Sequence, residues 1–499
     1  MSSASPLSKS QYLRGLQCRK SLWLYRNRKD LLPETPPSLQ MIFDQGHEVG
    51  KLAWKRFPEG VLIEADHLHP EEALQATAAA AKSGANVLYE AAALFDRVLI
   101  RADILARNDA QTWDMVEVKS SADIKDVYLH DLAIQRHVLE GAGFPIGKTF
   151  LMHINTDYVR LGGIDAGSFF TLRDLTEEIK GLIKSVPEKV RLFQATAALD
   201  SAPEIDIGPH CSAPYDCEFT GHCWRHIPGY SVYDVVRISG AKVAALRGLG
   251  ILEIKDIPDG FALSDAQRLQ VLVEKSGRPH VDAPEIAGLL NELEYPLHFL
   301  DFETVNPAIP PYDGLRPFQQ IPFQASLHLL MSPGAPLQHM DFLGDGKADP
   351  REGLAAWLAG AIGAAGAVIA YNAAFEGRCL KDLAQAFPAR GPALESIQAR
   401  LWDIAAPFRK GLYVHPGFRG SWSMKSVLPA LAPGMSYANL AIADGAQAQS
   451  AYLRMMRGDL SQEAAQETRR ALREYCGQDT LGMVEILRRL EEIGGGREF

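Results

Sequence analysis

The amino-acid sequence predicts an α/β protein of two domains joined by a helical segment. The chain has 499 residues, more than a single hydrophobic core usually serves. Its hydrophobic pattern changes from helical to alternating near Asn86 and again near Tyr295, so each part combines helices with strands. The stretch between them, Tyr230 to Ala287, has a wholly helical pattern and few strand signals.

Composition narrows the class of protein. Hydrophobic residues make up 47% of the chain and charged residues 22%, as in ordinary globular proteins. There is no run of about 18 apolar residues, and the first ten residues lack the apolar core of a signal peptide, so we expect a cytoplasmic protein with no membrane partner. The net charge of −10 argues against a polybasic binder, although metal-binding carboxylates also raise the acidic count.

The first part of the chain alternates predicted helices and strands. Helices are expected over 8–28, 39–57, 70–82 and 126–140, and strands over 86–90, 97–106, 113–120 and 148–155. Between Lys9 and Lys29 every charged residue is basic. This pattern fits either a solvated helix face or a surface that binds phosphates.

Two of these strands carry charged residues that share a face. Asp103 lies in the strand 97–106, and Glu117 and Lys119 lie in the strand 113–120. Residues two apart in a strand face the same side, so the three side chains are expected to converge if the strands pair. Two converging carboxylates bind Mg²⁺ or Mn²⁺, which activates a water, and a lysine beside them can orient that water. The alternative is an exposed strand face on which charges alternate, since it would have the same sequence pattern.

Two residues on the flanking helices extend this group. His47 can ligate a metal, and the amide of Gln135 can contact substrate or Lys119. In this order, His47, Asp103, Glu117-x-Lys119 and Gln135 resemble the motifs of RecB-type PD-(D/E)XK nucleases. The resemblance implies a restriction-endonuclease-like fold with His47, Asp103 and Glu117 as metal ligands. It also implies that Asp103, Glu117 and Lys119 are catalytic and that Gln135 binds substrate.

Three of the six cysteines lie within thirteen residues, which indicates metal binding. They are Cys211, Cys217 and Cys223, and Cys18 precedes the nuclease motifs. One cysteine before and three after resembles the RecB-like nucleases with iron–sulfur clusters, including the CRISPR-associated adaptation nuclease. The resemblance implies a 4Fe–4S cluster held by the four thiolates. Zinc is an alternative, since histidines flank two of the cysteines, and free buried thiols are another.

The helical segment contains a pattern of its own. Lys242 to Ile251 holds a Gly-Leu-Gly turn between apolar residues, as in a helix–hairpin–helix that presents backbone N–H groups to a phosphate. A helical linker without that role is the alternative.

The last part of the chain holds a second group of acidic residues. Strands are expected over 297–304, 323–330 and 367–371. Asp301 and Glu303 share a face of the first strand, and Glu376 follows the third. Tyr475 and Asp479 lie one turn apart on one helix face. Four carboxylates with a tyrosine suit phosphodiester hydrolysis by two divalent cations, with the phenol positioning the attacking water.

These motifs resemble the DEDD exonucleases of the RNase H-like fold, in their tyrosine-bearing form. The first motif reads Asp301-x-Glu303-Thr and the third reads Tyr475-x3-Asp479, while the second carries Glu376 where the family has aspartate. The resemblance implies that all five residues are catalytic and that the carboxylates hold Mg²⁺ or Mn²⁺. Asp403 is a further acid to which no role is assigned.

The full chain resembles a family of largely uncharacterised bacterial proteins that join these two halves. The resemblance implies a PD-(D/E)XK domain over 1–228, a helical linker over 229–290 and an RNase H-like domain over 291–499. It implies a metal-dependent nuclease, exonucleolytic on single-stranded or frayed DNA ends, with RNA not excluded. Leu139, where RecB-type motifs have tyrosine, and Glu376 suggest an alternative, a nucleic-acid-binding scaffold with one or both sites inactive.

One basic segment of the last part does not belong to these motifs. Between Phe408 and Lys425, aromatic residues alternate with Arg and Lys. This suits stacking on bases and pairing with phosphates of a single strand, and ordinary loop packing is the alternative.

Overall fold

The computed structural model describes residues 5–66 and 68–495 and confirms a mixed α/β protein. Its contacts divide the chain into two compact units. The first comprises Met1–His226 and Pro307–Gln319, and the second comprises Ile227–Asn306 and Gln320–Phe499. The predicted helical linker therefore falls within the second unit.

The first unit contains seven strands and eight α-helices among its described residues. In chain order they are β1 (Leu7–Ser8), α1 (Lys9–Gln17), α2 (Arg19–Asn27), α3 (Pro37–Trp54), β2 (Val61–Leu62), α4 (Pro70–Lys82), β3 (Val87–Phe95), β4 (Val98–Arg107), β5 (Trp113–Lys119), α5 (Asp126–Gly141), β6 (Ile146–Ile154), α6 (Ala166–Phe169), β7 (Phe170–Asp174), α7 (Lys180–Ala197) and α8 (Thr220–Cys223).

One sheet organises the first unit, in the order β2-β3-β4-β5-β6-β7. Strands β3, β4 and β5 are antiparallel neighbours, and β6 returns parallel to β5 after α5. Residues of α1, α5 and α7 form one hydrophobic cluster with the sheet, and residues of α3 form another with the loop 307–319. Helices thus cover the sheet, as expected for strands that carry many apolar residues on both of their faces.

The helix predicted over 8–28 is two helices. Helix α1 ends and α2 begins at Cys18, whose backbone is extended (φ −159°, ψ 117°). Ser8 forms a capping box with Gln11 that fixes the start of α1. The apolar pattern continues across Cys18, so periodicity alone could not show the interruption.

The second unit contains seven strands and ten α-helices among its described residues. They are α9 (Gly240–Gly248), α10 (Asp265–Ser276), β8 (His280–Val281), α11 (Ala283–Leu290), β9 (Leu297–Val305), β10 (Ile321–Leu330), β11 (Gln338–Leu343), α12 (Arg351–Ala361), β12 (Ala367–Ala370), α13 (Ala374–Ala386), α14 (Gly391–Ala399), β13 (Leu401–Asp403), α15 (Ala406–Arg409), β14 (Tyr413–Val414), α16 (Met424–Leu431), α17 (Gly445–Arg457) and α18 (Gln462–Gly494).

The main sheet of the second unit has the order β11-β10-β9-β12-β13. Strands β9, β10 and β11 form an antiparallel meander, and β12 and β13 are parallel to β9. Alternate residues of β9, such as Leu300 and Phe302, pack in a cluster with α12, α13 and α14. The residues between them therefore point to the opposite face, toward α18.

The segment 230–287 is less helical than its pattern predicts. It holds α9, α10, the start of α11 and two 3₁₀ turns, together with strand β8, which pairs with β14. After α9 the chain forms a 3₁₀ turn over Ile254–Asp256, so the second α-helix of a helix–hairpin–helix is replaced by a shorter turn. Ile254 and Leu246 are buried in a local cluster, which accounts for the apolar pattern.

None of the helices in the described chain is both long and apolar enough to cross a membrane.

Candidate functional sites

The register of β4 and β5 brings together the acidic residues of the first group. Ile104 pairs with Val116, so Asp103 stands across from Glu117. The Asp103 carboxylate accepts a hydrogen bond from the backbone N–H of Val118 (2.7 Å). The strand pairing expected from the short turn is therefore present, and Asp103, Glu117 and Lys119 lie in one site.

Two ammonium groups meet the Glu117 carboxylate, which is almost fully buried. Lys119 Nζ lies 2.7 Å and Lys9 Nζ 2.8 Å from the same oxygen, Oε1. Lys119 also contacts Asp131 on α5 at 2.7 Å. A buried carboxylate needs such partners, because its charge is costly away from water.

Helix α5 provides the other half of this network. Gln135 Nε2 donates to Glu117 Oε2 (2.7 Å) and to Asp131 Oδ1 (2.9 Å), four residues earlier on the same helix face. Gln135 is thus held in the site, and its amide orients both carboxylates. Leu139, one turn later, is fully buried in the core, so it presents no surface to a nucleic acid.

The pKa values of the Asp103 and Glu117 carboxyls are shifted in opposite directions. Burial and then the charge of Glu117 raise the pKa of Asp103 to about 8. Burial also acts to raise the pKa of Glu117, but Lys119 and Lys9 outweigh it and hold that pKa well below its usual range. Glu117 is therefore the permanently charged member of the pair, and Asp103 titrates near neutral pH.

His47 is not joined to this network. It is exposed on α3, and it makes no hydrogen bond or ion pair with the described residues. Among the described residues, His47, Asp103 and Glu117 do not bring three possible ligand atoms within 4.8 Å of one another. The nearby glycine of the same helix, Gly46, lies against Ser120 at the end of β5, so α3 does pass the site.

Sequence reasoning missed Lys9, Asp131 and Glu90 at this site. Lys9 reaches Glu117 from 108 residues away. Asp131 is one helical turn before Gln135, a spacing that could have identified it. Glu90, on β3, raises the pKa of Asp103 and has a left-handed backbone (φ 56°), which is uncommon for a residue with a side chain.

The four predicted cluster cysteines line one small cavity of the first unit, of about 20 Å³. Burial raises the pKa of Cys18 and of Cys223, and the neighbouring sulfurs raise it further. These cysteines do not form a group of ligand atoms within 4.8 Å of one another in the described chain. The structure thus gathers Cys18, Cys211, Cys217 and Cys223 around one small cavity, with sulfurs that are not drawn into a single set within 4.8 Å.

Polar contacts tie the N-terminal helices to the cysteine-rich segment. Gln17 donates to the carbonyl oxygens of His210 (2.9 Å) and Tyr215 (2.6 Å). Arg14 forms an ion pair with Glu218 (2.6 Å). These contacts place the interruption at Cys18 opposite the three downstream cysteines.

In the second unit, strand alternation places Asp301 and Glu303 on the face of β9 that meets α18. The Cys476 thiol on α18 lies 3.4 Å from Asp301 Oδ2. Ligand atoms of Asp301, Glu303 and Cys476 all lie within 4.8 Å of one another. Cys476 was not predicted as a site residue, although it stands between Tyr475 and Asp479 on their helix face.

Glu376 lies in the first turn of α13, directly after β12. Asn372 turns the chain there with a left-handed backbone (φ 63°), and its N–H donates to Asp403 Oδ1 (2.9 Å). Asp403 also pairs with Arg409 (2.7 Å), so it supports this turn. One carboxylate oxygen of Glu376, Oε2, is buried and has no hydrogen-bond partner in the described chain.

Asp479 completes the group from α18. Its Oδ1 accepts a hydrogen bond from the Tyr437 hydroxyl (2.5 Å), another residue that the motifs did not predict. The rings of Tyr437 and Tyr475 meet edge to face at 6.0 Å, and Lys425 Nζ lies 5.8 Å from the centre of each. Tyr475 is therefore packed beside the carboxylates.

The four carboxyls share one electrostatic environment. Burial raises the pKa of Asp301, and Asp479, Glu303 and Glu376 raise it further. Burial likewise raises the pKa of Glu303, that of Asp479 to about 7 and that of Glu376 to about 8. Carboxyls that repel one another in this way keep protons at neutral pH unless cations replace them.

Comparison with known proteins gives two matches. Residues 298–423 match the family model described as "Domain of unknown function (DUF2779)", a segment that includes Asp301, Glu303 and Glu376 but not Asp479. The chain is 24% identical over 285 residues to "Uncharacterized protein UU173" of Ureaplasma parvum serovar 3, which covers 52% of this chain. The chain spans 41% of the length of that relative. Neither description names an activity.

Proposed function

We propose that this protein is a metal-dependent nuclease with two separate sites, and that its second unit is an RNase H-like 3′–5′ exonuclease of the DEDD type. The observation that carries the proposal is the buried group of Asp301, Glu303 and Cys476, whose ligand atoms lie within 4.8 Å of one another, with Asp479 and Glu376 near enough to raise the pKa of Asp301. The sheet order supports it, because RNase H-like domains also have a central first strand, an antiparallel meander on one side and two parallel strands on the other.

The residues present fit a pair of divalent cations. Carboxylate oxygens are the ligands that Mg²⁺ and Mn²⁺ prefer, and cations bound by the four carboxylates would stabilise the charge on the phosphate. Tyr475 keeps its proton at neutral pH, since burial raises its pKa, and so its hydroxyl can donate a hydrogen bond and orient the attacking water. The Cys476 thiol donates to Asp301 and fixes the direction of that carboxylate.

We propose that the first unit is a PD-(D/E)XK nuclease of the RecB type. Its order of helix, three antiparallel strands, helix and parallel strand supports this, as does the convergence of Asp103, Glu117 and Lys119. Asp103 and Glu117 would hold a cation that activates water, and Lys119 would stabilise charge on the phosphate. His47 is a proposed ligand only if α3 or its side chain approaches the carboxylates.

We propose that the cysteine pocket holds a 4Fe–4S cluster rather than zinc. Four sulfurs around one zinc ion at 2.3 Å each would lie about 3.8 Å apart. These cysteines are more widely spaced, whereas a cube of iron and sulfide separates its four ligands. We propose that the cluster joins Cys18 to the segment 211–223.

The substrate proposed is DNA with single-stranded or frayed ends, with RNA as an alternative for the same assay. End-labelled single-stranded DNA and RNA would be incubated with anaerobically purified full-length protein and Mg²⁺ or Mn²⁺. Asp301→Ala should abolish trimming from the 3′ end, and Lys119→Ala should abolish a separate cleavage activity. Asp382→Ala and Lys148→Ala, at exposed positions on α13 and β6, are the matched controls.

The outcomes separate the two sites and the alternative function. Persistence of 3′ trimming in the double variant Asp301→Ala with Lys119→Ala would refute the assignment of the second unit. Binding of DNA by wild type without cleavage in either metal would favour a nucleic-acid-binding scaffold.

A further inference from the structure

The second unit contains a cavity that neither proposed site uses. It encloses about 390 Å³, within the range of roughly 300–1,000 Å³ that small-molecule sites occupy. Its walls are the turn before α9, the first turn of α10 and the segment from Phe408 to Trp422. This last segment belongs to the stretch in which aromatic residues alternate with Arg and Lys.

Aromatic rings form the apolar wall of the cavity. Phe408, Tyr413 and Phe418 pack edge to face, with ring centres 5.5–6.2 Å apart. Trp422 is only partly buried, and its backbone carbonyl accepts a hydrogen bond from Tyr371 (2.6 Å). Arg409 lies 5.8 Å from the centre of the Trp422 ring, and the exposed part of that ring is available to a planar ligand.

Cations without partners line the same cavity. Arg237 and Lys410 are exposed, and neither makes a hydrogen bond or ion pair with the described residues. Arg409 is paired with Asp403 (2.7 Å). The acid of the lining, Asp265, is itself within 3.7 Å of Arg268, so the cavity presents more positive than negative charge.

Hydrogen-bond donors also remain available. Tyr413 adds a hydroxyl and Trp422 an indole N–H to the lining, and neither group is in a side-chain hydrogen bond with the described residues. A ligand that satisfies all these groups needs a flat, partly apolar face and an anionic group a short distance away. We propose that the cavity binds a nucleotide, with its base on the aromatic wall and its phosphate between Arg237 and Lys410.

The cavity is connected to the carboxylate site of the same unit. Arg409 lines the cavity and pairs with Asp403, which in turn holds the Asn372 turn that precedes Glu376. This inference rests on the proposed exonuclease function in one respect: a strand whose end is trimmed would supply the bound nucleotide. A free nucleotide has the same chemistry, and the experiment distinguishes the two sources.

Binding would be measured by titration calorimetry on the full-length protein, without divalent cations, so that no cleavage occurs. The probes are dAMP, deoxyadenosine, inorganic phosphate and a ten-residue oligothymidylate. We expect dAMP to bind more tightly than either of its parts. Trp422→Ala, or Arg237→Gln with Lys410→Gln, should weaken dAMP binding roughly tenfold or more. Lys347→Gln, at an exposed lysine outside the cavity, should leave it unchanged.

The results of these titrations identify the source of the bound nucleotide or overturn the proposal. Displacement of dAMP by the oligothymidylate assigns the cavity to a strand, and dAMP binding that the oligothymidylate does not displace assigns it to a free nucleotide. Equal binding of dAMP by wild type and the Arg237→Gln, Lys410→Gln variant, both of whose changes are on the surface, would overturn the proposal. Since the assay needs no catalysis, loss of trimming in Asp301→Ala with unchanged dAMP binding would separate this inference from the exonuclease proposal.

Discussion

Glu376 should make the second unit less stable as pH rises, in the absence of divalent cations. Its pKa is raised by burial from 4.5 to about 8, and one of its oxygens has no hydrogen-bond partner among the described residues. Below about pH 4.5 the group is neutral in both folded and unfolded chains, so it costs nothing. Between about pH 4.5 and 8 the unfolded chain loses this proton and the folded chain keeps it, so the free energy of unfolding falls.

The size of this effect follows from the shift. A single such group lowers the free energy of unfolding by about 1.4 kcal/mol per pH unit, up to about 5 kcal/mol across the interval. The charge of Glu376 also contributes to the raised pKa of Asp301 and of Glu303. We therefore expect Glu376→Gln to reduce the slope by about 1 kcal/mol per pH unit.

The assay is urea-dependent hydrogen exchange of peptides from β9 and α13, which reports the second unit alone. Wild type, Glu376→Gln and the exposed control Glu395→Gln would be compared between about pH 5 and 8 with a chelator. The slope is the observable, because it does not depend on any packing cost of the substitution. Saturating Mn²⁺ should flatten the wild-type profile, since the cation binds only the folded, deprotonated site. Parallel profiles for wild type and Glu376→Gln would refute the reasoning.

Three further predictions concern other groups. Cys217→Ser should remove iron and visible absorbance from anaerobically purified protein and lower the thermal stability of the first unit, because ligand binding is coupled to folding. The control Ser212→Ala should keep both the iron and the stability. Zinc without iron in the wild-type protein would contradict the cluster. Lys9→Met should move the acidic limb of Lys119-dependent cleavage to higher pH, because Lys9 lowers the pKa of Asp103; an unmoved limb in the pH–rate profile would exclude this role. Burial lowers the pKa of His328 from 6.5 to about 4, so the protein should lose up to about 3 kcal/mol of stability as pH falls through that interval, and urea unfolding of His328→Gln should lack that loss.

The sequence predicted those features of the sites that depend on local geometry. Alternation along a strand placed Asp301 and Glu303 on one face, and a short turn between strands placed Asp103 across from Glu117. Both follow from the side-chain period of two and from hairpin pairing. The sequence also showed that Glu376 differs from the aspartate of the family motif, because glutamate has one more methylene.

The residues that were missed reach their sites over long distances in sequence. Lys9 meets Glu117 from another element, and Tyr437 meets Asp479 from the loop between α16 and α17. The hydrophobic periodicity of a sequence does not predict contacts between distant residues, since they depend on how helices pack against the sheet. Short strands such as β1, with two residues, were missed because a pattern of two carries no period.

Helix α1 connects the cysteine pocket to the first proposed nuclease site. It begins at Lys9, whose ammonium contacts Glu117, and ends at Gln17, next to Cys18, so its nine residues span about 13.5 Å. Gln17 and Arg14 fasten its last turn to the cysteine-rich segment. Loss of the proposed cluster would free this end of the helix and with it the position of Lys9. Cleavage that depends on Lys119 should therefore fall in Cys217→Ser, while trimming that depends on Asp301 continues; an equal loss of both activities would show general unfolding instead.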